Sequence, residues 1–144
     1  MQQLKNRCLI AKRTMSGQKN NSNVNPPVTI FVVDDEPILL DLALTILQPL
    51  GYHVQTFRDP KAALKAFPTA KPLVVVTDYA MGNTTGMDLL REFRRLNPQQ
   101  KIILLSGTVD EQIYADEANK PDRFLSKPYQ ISDFVGSVQA LLKA

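Results

Sequence analysis

Hydrophobic and polar residues follow two alternating rhythms from Val28 onward. Short runs rich in valine, isoleucine and phenylalanine are typical of strands, whereas apolar residues that recur three or four positions apart are typical of helices. The runs predict five strands, at 28–33, 52–57, 73–76, 102–105 and 123–126. The helical spacing predicts five helices, at 37–50, 60–67, 89–96, 109–118 and 131–142, with a loop over 79–86.

Proline and glycine mark several of the predicted helix ends. Pro37 suits the first turn of a helix, because an N–H at that position would have no acceptor within the helix and proline lacks one. Gly51 is a typical residue just past a helix end, and Asp59 before Pro60 is an N-cap pattern. Strands and helices therefore alternate five times. This alternation predicts an α/β fold, a parallel sheet with helices on both faces.

Charge is distributed unevenly between the start of the chain and the rest. The 144 residues have a net charge of +3, yet residues 1–27 carry five basic residues and no acidic one. Residues 28–144 hold 12 basic against 14 acidic residues, a net charge of −2. The segment 1–27 is polar and without periodicity, which predicts a disordered basic tail before one folded domain over 28–144. A basic tail can contact nucleic acid or membrane, but a solvated linker is the simpler interpretation.

Composition narrows the class of protein. Cys8 is the only cysteine, which excludes an intrachain disulfide and a cysteine-based zinc site and is typical of a reducing, cytoplasmic setting. No apolar stretch approaches the roughly 20 residues that cross a bilayer. We therefore expect a cytoplasmic globular domain without a membrane segment.

Polar and charged residues follow four of the five predicted strands. Asp34 and Asp35 come after the first strand, Asp78 after the third, Ser106 after the fourth and Lys127 after the fifth. Open α/β sheets bind ligands beyond the carboxyl ends of their strands, so we expect these five side chains on one rim. Each alone has a simpler explanation, as a turn residue, a cap or a surface charge. Their joint occurrence favours a functional site.

The chemistry of this set indicates a phosphoryl group as the ligand. Three carboxylates a few ångströms apart repel one another, and a hard divalent cation such as Mg²⁺ relieves the repulsion while leaving coordination positions for phosphate oxygens. An ammonium group and a hydroxyl can hold the phosphoryl oxygens from the other side. Asp78 ends the central strand and is the natural nucleophile, giving an aspartyl phosphate. Asp34 and Asp35 are then placed to hold the metal.

With these residues in view, the sequence resembles a known family, the response-regulator receiver domains of two-component signalling. The resemblance runs from about Thr29 to Leu142 and rests on the motifs VVDDEP, VVVTDYAM, LLSG and FLSKPY. It implies a flavodoxin-like, doubly wound (βα)5 fold with strand order 2-1-3-4-5. It also implies a phospho-acceptor module that catalyses its own phosphorylation and dephosphorylation, not an enzyme that turns over a substrate.

The resemblance implies roles for the acidic residues. Asp78 would accept the phosphoryl group from a phosphohistidine on a sensor histidine kinase or a phosphotransfer protein. Asp35 would bind Mg²⁺ directly and Asp34 largely through water. The main-chain carbonyl of Ala80 would reach the metal together with Asp78.

The resemblance also implies a conformational switch. Ser106 and Lys127 would contact the phosphoryl oxygens, and Phe124 occupies the aromatic switch position. The Lys127–Pro128 peptide bond is expected to be cis.

The output surface implied by the resemblance consists of the predicted fourth helix, fifth strand and fifth helix, at 109–118, 123–126 and 131–142. The sequence does not specify the output partner, the cognate kinase and its stimulus, or the oligomeric state. It also leaves open whether the domain stands alone or belongs to a hybrid kinase.

Three departures from the family pattern stand near the predicted site. Gly82 replaces the usual proline after the methionine, which predicts a looser loop beyond Asp78. Ala80 and Thr108 replace polar side chains that many members carry beside the phosphorylation site. Phe124 lacks the hydroxyl of the more familiar tyrosine, which changes the polar contacts of the switch.

Two other functions compete with a phosphorylated receiver. A Mg²⁺-dependent phosphohydrolase with an Asp nucleophile requires a second carboxylate as general acid two residues after the nucleophile, where this chain has Ala80. A degenerate receiver used only for binding is disfavoured because all five polar site residues are present. The sequence favours the phosphorylated receiver and leaves both alternatives open.

Overall fold

The protein is built around a parallel five-stranded sheet. A computed structural model describes residues 27–143. Within them the strands are β1 (Thr29–Val33), β2 (His53–Phe57), β3 (Val74–Asp78), β4 (Ala80–Met81), β5 (Thr84–Thr85), β6 (Lys101–Ser106) and β7 (Arg123–Ser126). All except β4 and β5 form the parallel sheet, in the order β2-β1-β3-β6-β7. Counted over these five strands alone, this is the predicted flavodoxin-like order 2-1-3-4-5.

Helices cover both faces of the sheet. Among the described residues the α-helices are α1 (Pro37–Leu47), α2 (Pro60–Ala70), α3 (Gly86–Leu96) and α4 (Ile131–Lys143). Alternate residues of a strand point to opposite faces, so Ile30 and Val32 of β1 pack with α1 and α4, whereas Phe31 and Val33 pack with α2 and α3. The predicted doubly wound α/β fold is confirmed.

The ends of α1 and α2 follow the local signals closely. A 3-10 turn, Gln48–Leu50, extends α1 and ends at Gly51, whose φ is +95°. Asp59 caps α2 by accepting a hydrogen bond from the amide of Lys61 at 3.0 Å. The helix α2 nevertheless continues about one turn beyond the predicted end at residue 67.

The helix predicted over 109–118 is wrong. In its place the structure has a single 3-10 turn, Glu111–Tyr114. Most helical stability in proteins comes from burying an apolar face, but Ile113 is 41% exposed and Tyr114 is only half-buried. A longer helix would bury little here. The (βα)5 pattern is therefore realised with four α-helices and, between β6 and β7, the 3-10 turn Glu111–Tyr114 in place of a fifth.

The loop predicted over 79–86 contains a regular hairpin. Strands β4 and β5 pair antiparallel, and Gly82 and Asn83 form the turn between them. Gly82 has a φ of +67°, which a proline, fixed near −65°, cannot adopt. A tight turn therefore follows Asp78, in a form that the usual proline of the family would not allow.

The start of the chain is not part of this description. Except for Pro27, the predicted basic tail over 1–27 lies outside the described residues, as does Ala144. Within residues 27–143, no helix combines the length and apolar character needed to cross a bilayer.

Candidate functional site

Three aspartates meet at the carboxyl end of the sheet. Asp34 directly follows β1, Asp35 comes next, and Asp78 is the last residue of β3. Strands β1 and β3 are neighbours in register, with Val33 opposite Thr77, which brings their ends together. One carboxylate oxygen from each aspartate lies within 4.8 Å of the others. Asp34 and Asp78 are buried, whereas Asp35 is exposed.

The acidic cluster opens into a depression of about 230 Å³. Glu36 and Gly107 line it but were not among the predicted site residues; each directly follows a predicted one along the chain, and that adjacency was the available signal. The lining residues are Asp35, Glu36, Asp78, Ala80, Gly107, Thr108 and Lys127.

Lys127 reaches the acids from just beyond the end of β7. Its Nζ lies 2.8 Å from Asp78 Oδ1 and 3.3 Å from Asp34 Oδ2. Its amide donates to the carbonyl of Ser106 at 2.7 Å, which continues the pairing of β6 with β7. The Lys127–Pro128 bond is cis, as the resemblance implied. One ammonium group thus bridges two of the three carboxylates.

Burial and charge shift the ionisation of this pair. Burial raises the pKa of Asp78; the hydrogen bond and charge of Lys127 oppose the shift, while Asp34 and Asp35 add to it. Burial lowers the pKa of Lys127, but its hydrogen bond to Asp78 and the charges of Asp34 and Asp78 outweigh burial, so its pKa is raised. Lys127 therefore keeps its proton, and Asp78 is an acid that further positive charge would help to ionise.

The donor set suits a hard divalent cation. The three candidate ligand groups gathered within 4.8 Å are all carboxylates, and Ala80 lines the same depression. Mg²⁺ favours a few carboxylates and several retained waters, and the exposure of Asp35 leaves room for water. The residues present therefore fit Mg²⁺.

Ser106 is buried at the end of β6, the strand beside β3. Its Oγ accepts hydrogen bonds from the amides of Thr108 at 3.1 Å and Val109 at 3.0 Å. A hydroxyl has two lone pairs and one hydrogen, so both acceptor positions are in use and the hydrogen is available for donation, with Thr108 Oγ1 the nearest partner at 3.5 Å. The side chain is thus tied to the start of the connection that leads to β7.

Phe124 lies apart from the acidic cluster. It sits half-buried on β7 and packs against Tyr114 of the 3-10 turn, with ring centroids 6.1 Å apart. It is not among the residues that line the depression. The structure therefore places Phe124 against the turn and brings the other predicted residues to one rim: Asp34, Asp35, Asp78, Ala80, Ser106 and Lys127.

Comparison with known proteins points to one family. Residues 30–139 match the family model of the response regulator receiver domain. The chain is 34% identical over 119 residues to the probable transcriptional regulatory protein TcrX of Mycobacterium tuberculosis, and 34% over 115 residues to the transcriptional regulatory protein TdiR of Thauera aromatica. These matches cover 81% and 79% of this chain but 50% and 51% of the relatives. The chain thus spans about half the length of these relatives, which are named as regulators and not as conventional enzymes.

Solved structures agree with this assignment. A response regulator receiver domain protein from Clostridium thermocellum is 28% identical, with a TM-score of 0.74 over 81% of this chain and 94% of that one. The response regulator protein TrrA of Thermotoga maritima, solved with Mg²⁺ and BeF, is 28% identical, with a TM-score of 0.69 over 79% of this chain and 98% of that one. The chain belongs to the response regulator receiver domain family of two-component signalling.

Proposed function

We propose that this domain is a cytoplasmic phosphorylation switch that accepts a phosphoryl group onto Asp78 in a Mg²⁺-dependent reaction. The donor is a phosphohistidine of a sensor histidine kinase or of a phosphotransfer protein. One observation carries the proposal: the Asp78 carboxylate lies within 4.8 Å of those of Asp34 and Asp35 and 2.8 Å from the Lys127 ammonium. In this arrangement, the Lys127 ammonium and Mg²⁺ compensate the negative charge that a phosphoryl group adds to Asp78.

Asp78 acts as the nucleophile. A carboxylate oxygen attacks the phosphorus, the O–P bond forms as the P–N bond to the histidine ring breaks, and the ring nitrogen keeps the electron pair of the broken bond. Positioning and charge supply most of the catalysis in phosphoryl transfer. Because only the ionised carboxylate attacks, and burial raises the pKa of Asp78, positive charge beside it is part of the activation.

Bound Mg²⁺ would supply positive charge at the phosphoryl oxygens and would screen the carboxylates from one another. Asp35 would hold it directly and Asp34 largely through water, with Asp78 and the Ala80 carbonyl as the other ligands from the protein. Lys127 bridges Asp34 and Asp78 in the structure. After transfer, the Lys127 ammonium binds a phosphoryl oxygen in place of the Asp78 carboxylate, because the phosphoryl oxygen carries more negative charge.

Ser106 and Phe124 transmit the state of Asp78. The Ser106 hydroxyl donates a hydrogen bond to a phosphoryl oxygen and moves inward. It thereby leaves the amides of Thr108 and Val109, from which it accepts hydrogen bonds in the structure. Phe124 then occupies the released space, which biases a two-state equilibrium. The affected surface comprises the 3-10 turn Glu111–Tyr114, which stands in place of the predicted fourth helix, together with β7 and α4. This surface contacts an output partner.

The acceptor is tested by intact-mass measurement after incubation with a small phosphodonor, with and without Mg²⁺. The wild type should gain one phosphoryl group only with Mg²⁺, and Asp78→Asn should gain none, because it lacks the carboxylate nucleophile. Asp41→Asn is the matched control, since Asp41 is exposed on α1 and outside the acidic cluster. Labelling of Asp78→Asn to the extent of the wild type would show that the acceptor lies elsewhere.

The switch is tested by amide hydrogen exchange with and without beryllofluoride, which stands in for the phosphoryl group. Exchange over 106–142 should change in the wild type and should stay constant in Asp78→Asn. Unchanged exchange in the wild type, under conditions where beryllofluoride binds, would refute the coupling of Ser106 to Phe124.

A further inference from the structure

Gly82 holds the first position of the two-residue turn between β4 and β5. Its φ of +67° lies in the left-handed region, whereas the φ of Asn83 is not positive. A positive φ at the first central residue alone is the pattern of a type II′ turn, which favours glycine at that position and matches the twist of the flanking strands. The chain beyond Asp78 therefore turns back in a tight hairpin.

The hairpin determines which peptide groups bond across it. In an antiparallel pair of strands, hydrogen-bonded and non-hydrogen-bonded residue pairs alternate. Met81 and Thr84 flank the two-residue turn and form the bonded pair, so Ala80 and Thr85 form the next, non-bonded pair. The carbonyl of a residue in a non-bonded pair points away from the partner strand.

Two hydrogen bonds agree with this register. One pair beyond Ala80, the amide of Gly86 donates to the carbonyl of Tyr79 at 2.7 Å. The amide of Thr85 donates to Asp88 Oδ2 at 3.1 Å, within the capping box of α3, and not to Ala80. The Ala80 carbonyl is thus directed away from β5, and Ala80 itself lines the acidic depression.

We propose that Gly82 is a positioning residue of the metal site: its left-handed conformation stabilises the two-residue turn whose register directs the Ala80 carbonyl toward the acidic depression. The inference rests on the proposed function, because it assigns that carbonyl to Mg²⁺. A residue with a side chain disfavours the type II′ turn, and Ala80 would rotate with its strand. Gly82 acts through Ala80 and not by steric fit, since a Cβ on Gly82 would meet nothing within 4 Å.

A matched pair of glycine variants separates positioning from backbone strain. Gly51 also has a left-handed φ, +95°, and a Cβ on it would also meet nothing within 4 Å. Gly51 lies outside the depression, so Gly82→Ala and Gly51→Ala should both lower the melting temperature without Mg²⁺. Only Gly82→Ala should weaken Mg²⁺ binding in titration calorimetry, by about tenfold, as when a ligand loses its supporting contacts.

A double variant tests whether the hairpin, and not glycine itself, carries the effect. Gly82→Asn with Asn83→Gly creates Asn-Gly, the preferred pair for a type I′ hairpin turn of the same length. This variant should bind Mg²⁺ as tightly as the wild type.

The outcomes distinguish this inference from the proposed function. A wild type that neither binds Mg²⁺ nor gains a phosphoryl group would overturn the proposed function, and the role of Gly82 with it. A wild type that binds Mg²⁺ while Gly82→Ala and Gly51→Ala bind it equally well, or equally weakly, would overturn the role of Gly82 alone. A folded double variant that binds as weakly as Gly82→Ala would do the same.

Discussion

Two connections border the candidate site, and they are held in place by different means. The first connection, 79–85, joins β3 to α3 and closes on itself through the pairing of β4 with β5. The second connection, 107–122, joins β6 to β7 and is bound by arginines of α3: Arg91 pairs with Glu117 at 3.3 Å, and Arg94 donates to the second connection at two points. Local backbone geometry therefore shapes the first, and side chains from another element hold the second.

This difference matches what each connection contributes to the proposed switch. The first connection supplies the Ala80 carbonyl, and a metal ligand benefits from a fixed position. Near its start, the second connection has the two amides that donate hydrogen bonds to the Ser106 hydroxyl. Its 3-10 turn packs against Phe124 through Tyr114. Side-chain contacts can be exchanged without breaking a backbone ladder, so the second connection is the side on which a rearrangement meets less resistance.

Gly86→Ala is the strongest way to disturb the first connection. A Cβ on Gly86 would lie 2.6 Å from the carbonyl oxygen of Asp78 and 2.6 Å from Leu104 Cδ1, so the backbone of the acceptor residue would have to move. We expect a loss of about 3 kcal/mol in the free energy of unfolding, measured with urea, and slower phosphorylation. In Gly136→Ala, the control, a Cβ meets nothing within 4 Å, and helix propensity predicts no loss. Equal stability of the two variants would show that α3 does not pack tightly on Asp78.

Arg94→Ala should disturb the second connection by a smaller amount. The Arg94 side chain, 13% exposed, donates to the carbonyls of Gln100 at 3.0 Å and Lys120 at 2.7 Å and to Asp122 Oδ2 at 2.9 Å. Removing it takes this donor from both carbonyls, while Asp122 Oδ2 keeps the amide of Ile102 at 2.8 Å, so we expect a loss of about 2 kcal/mol and faster amide exchange over 107–122.

The control for this experiment is Arg95→Ala. Arg95 pairs with Glu92 on the surface of α3 and is 66% exposed, so its removal should change the free energy of unfolding by less than about 0.5 kcal/mol. If Arg94→Ala left exchange over 107–122 unchanged, the second connection would be held by something other than α3.

The same two connections show how far sequence patterns reach. The strands and four helices were predicted because their periodicity coincides with real burial, as for Leu89, Leu90 and Phe93 on α3. The helix over 109–118 was wrong because the apolar residues of this segment are not buried: Ile113 is 41% exposed. Asp110 does cap the 3-10 turn, accepting from the amide of Gln112 at 2.9 Å, but no apolar face extends it. Local signals start a helix, but packing decides whether it continues.

The hairpin was missed for the opposite reason. Its strands, β4 and β5, have two residues each, too few for a period of two to be visible. The Gly82-Asn83 pair was the only local sign of a turn. For the site, charges at strand ends predicted which residues meet, because parallel strands share one edge. The position of Lys127 Nζ between Asp34 and Asp78 depends on side-chain packing and could be seen only in three dimensions.

Asp78, where β3 passes into the first connection, allows a test by pH. Burial raises its pKa above the ordinary 3.8, so the folded protein keeps this proton to a higher pH than the unfolded chain does. The contribution of Asp78 to stability therefore falls as the pH rises from 3.8 through the folded pKa. Because asparagine resembles the protonated acid, Asp78→Asn without Mg²⁺ should be more stable than the wild type at pH 7, and this gain should vanish below pH 3.8.

Urea unfolding at both pH values measures this gain, with the exposed Asp41→Asn variant as the control. A gain of Asp78→Asn that persisted or grew in acid would contradict the raised pKa of Asp78. Equal stability of wild type and Asp78→Asn at pH 7 would mean that Lys127 fully compensates for burial.

The lifetime of the phosphoryl group offers the finest comparison, because each connection contributes one residue beside Asp78. Ala80 comes from the first and Thr108 from the second, and both line the depression. Hydrolysis needs a water in line with the phosphorus, and positioning supplies most of the catalysis. Alanine can neither donate nor accept, and the short Thr108 side chain has limited reach. We therefore expect slow loss of the phosphoryl group.

Ala80→Asn with Thr108→Glu should dephosphorylate several-fold faster than the parent in a time course after quenching Mg²⁺, a change of about 1 kcal/mol in the barrier. The single variants compare the two connections. Because a backbone hairpin holds position 80, Ala80→Asn should orient the water better and recover more of the acceleration than Thr108→Glu. A larger effect of Thr108→Glu would mean that the second connection, and not the first, holds its residue more firmly beside Asp78. An unchanged or slower decay of the double variant would mean that access of water, and not its orientation, sets the lifetime.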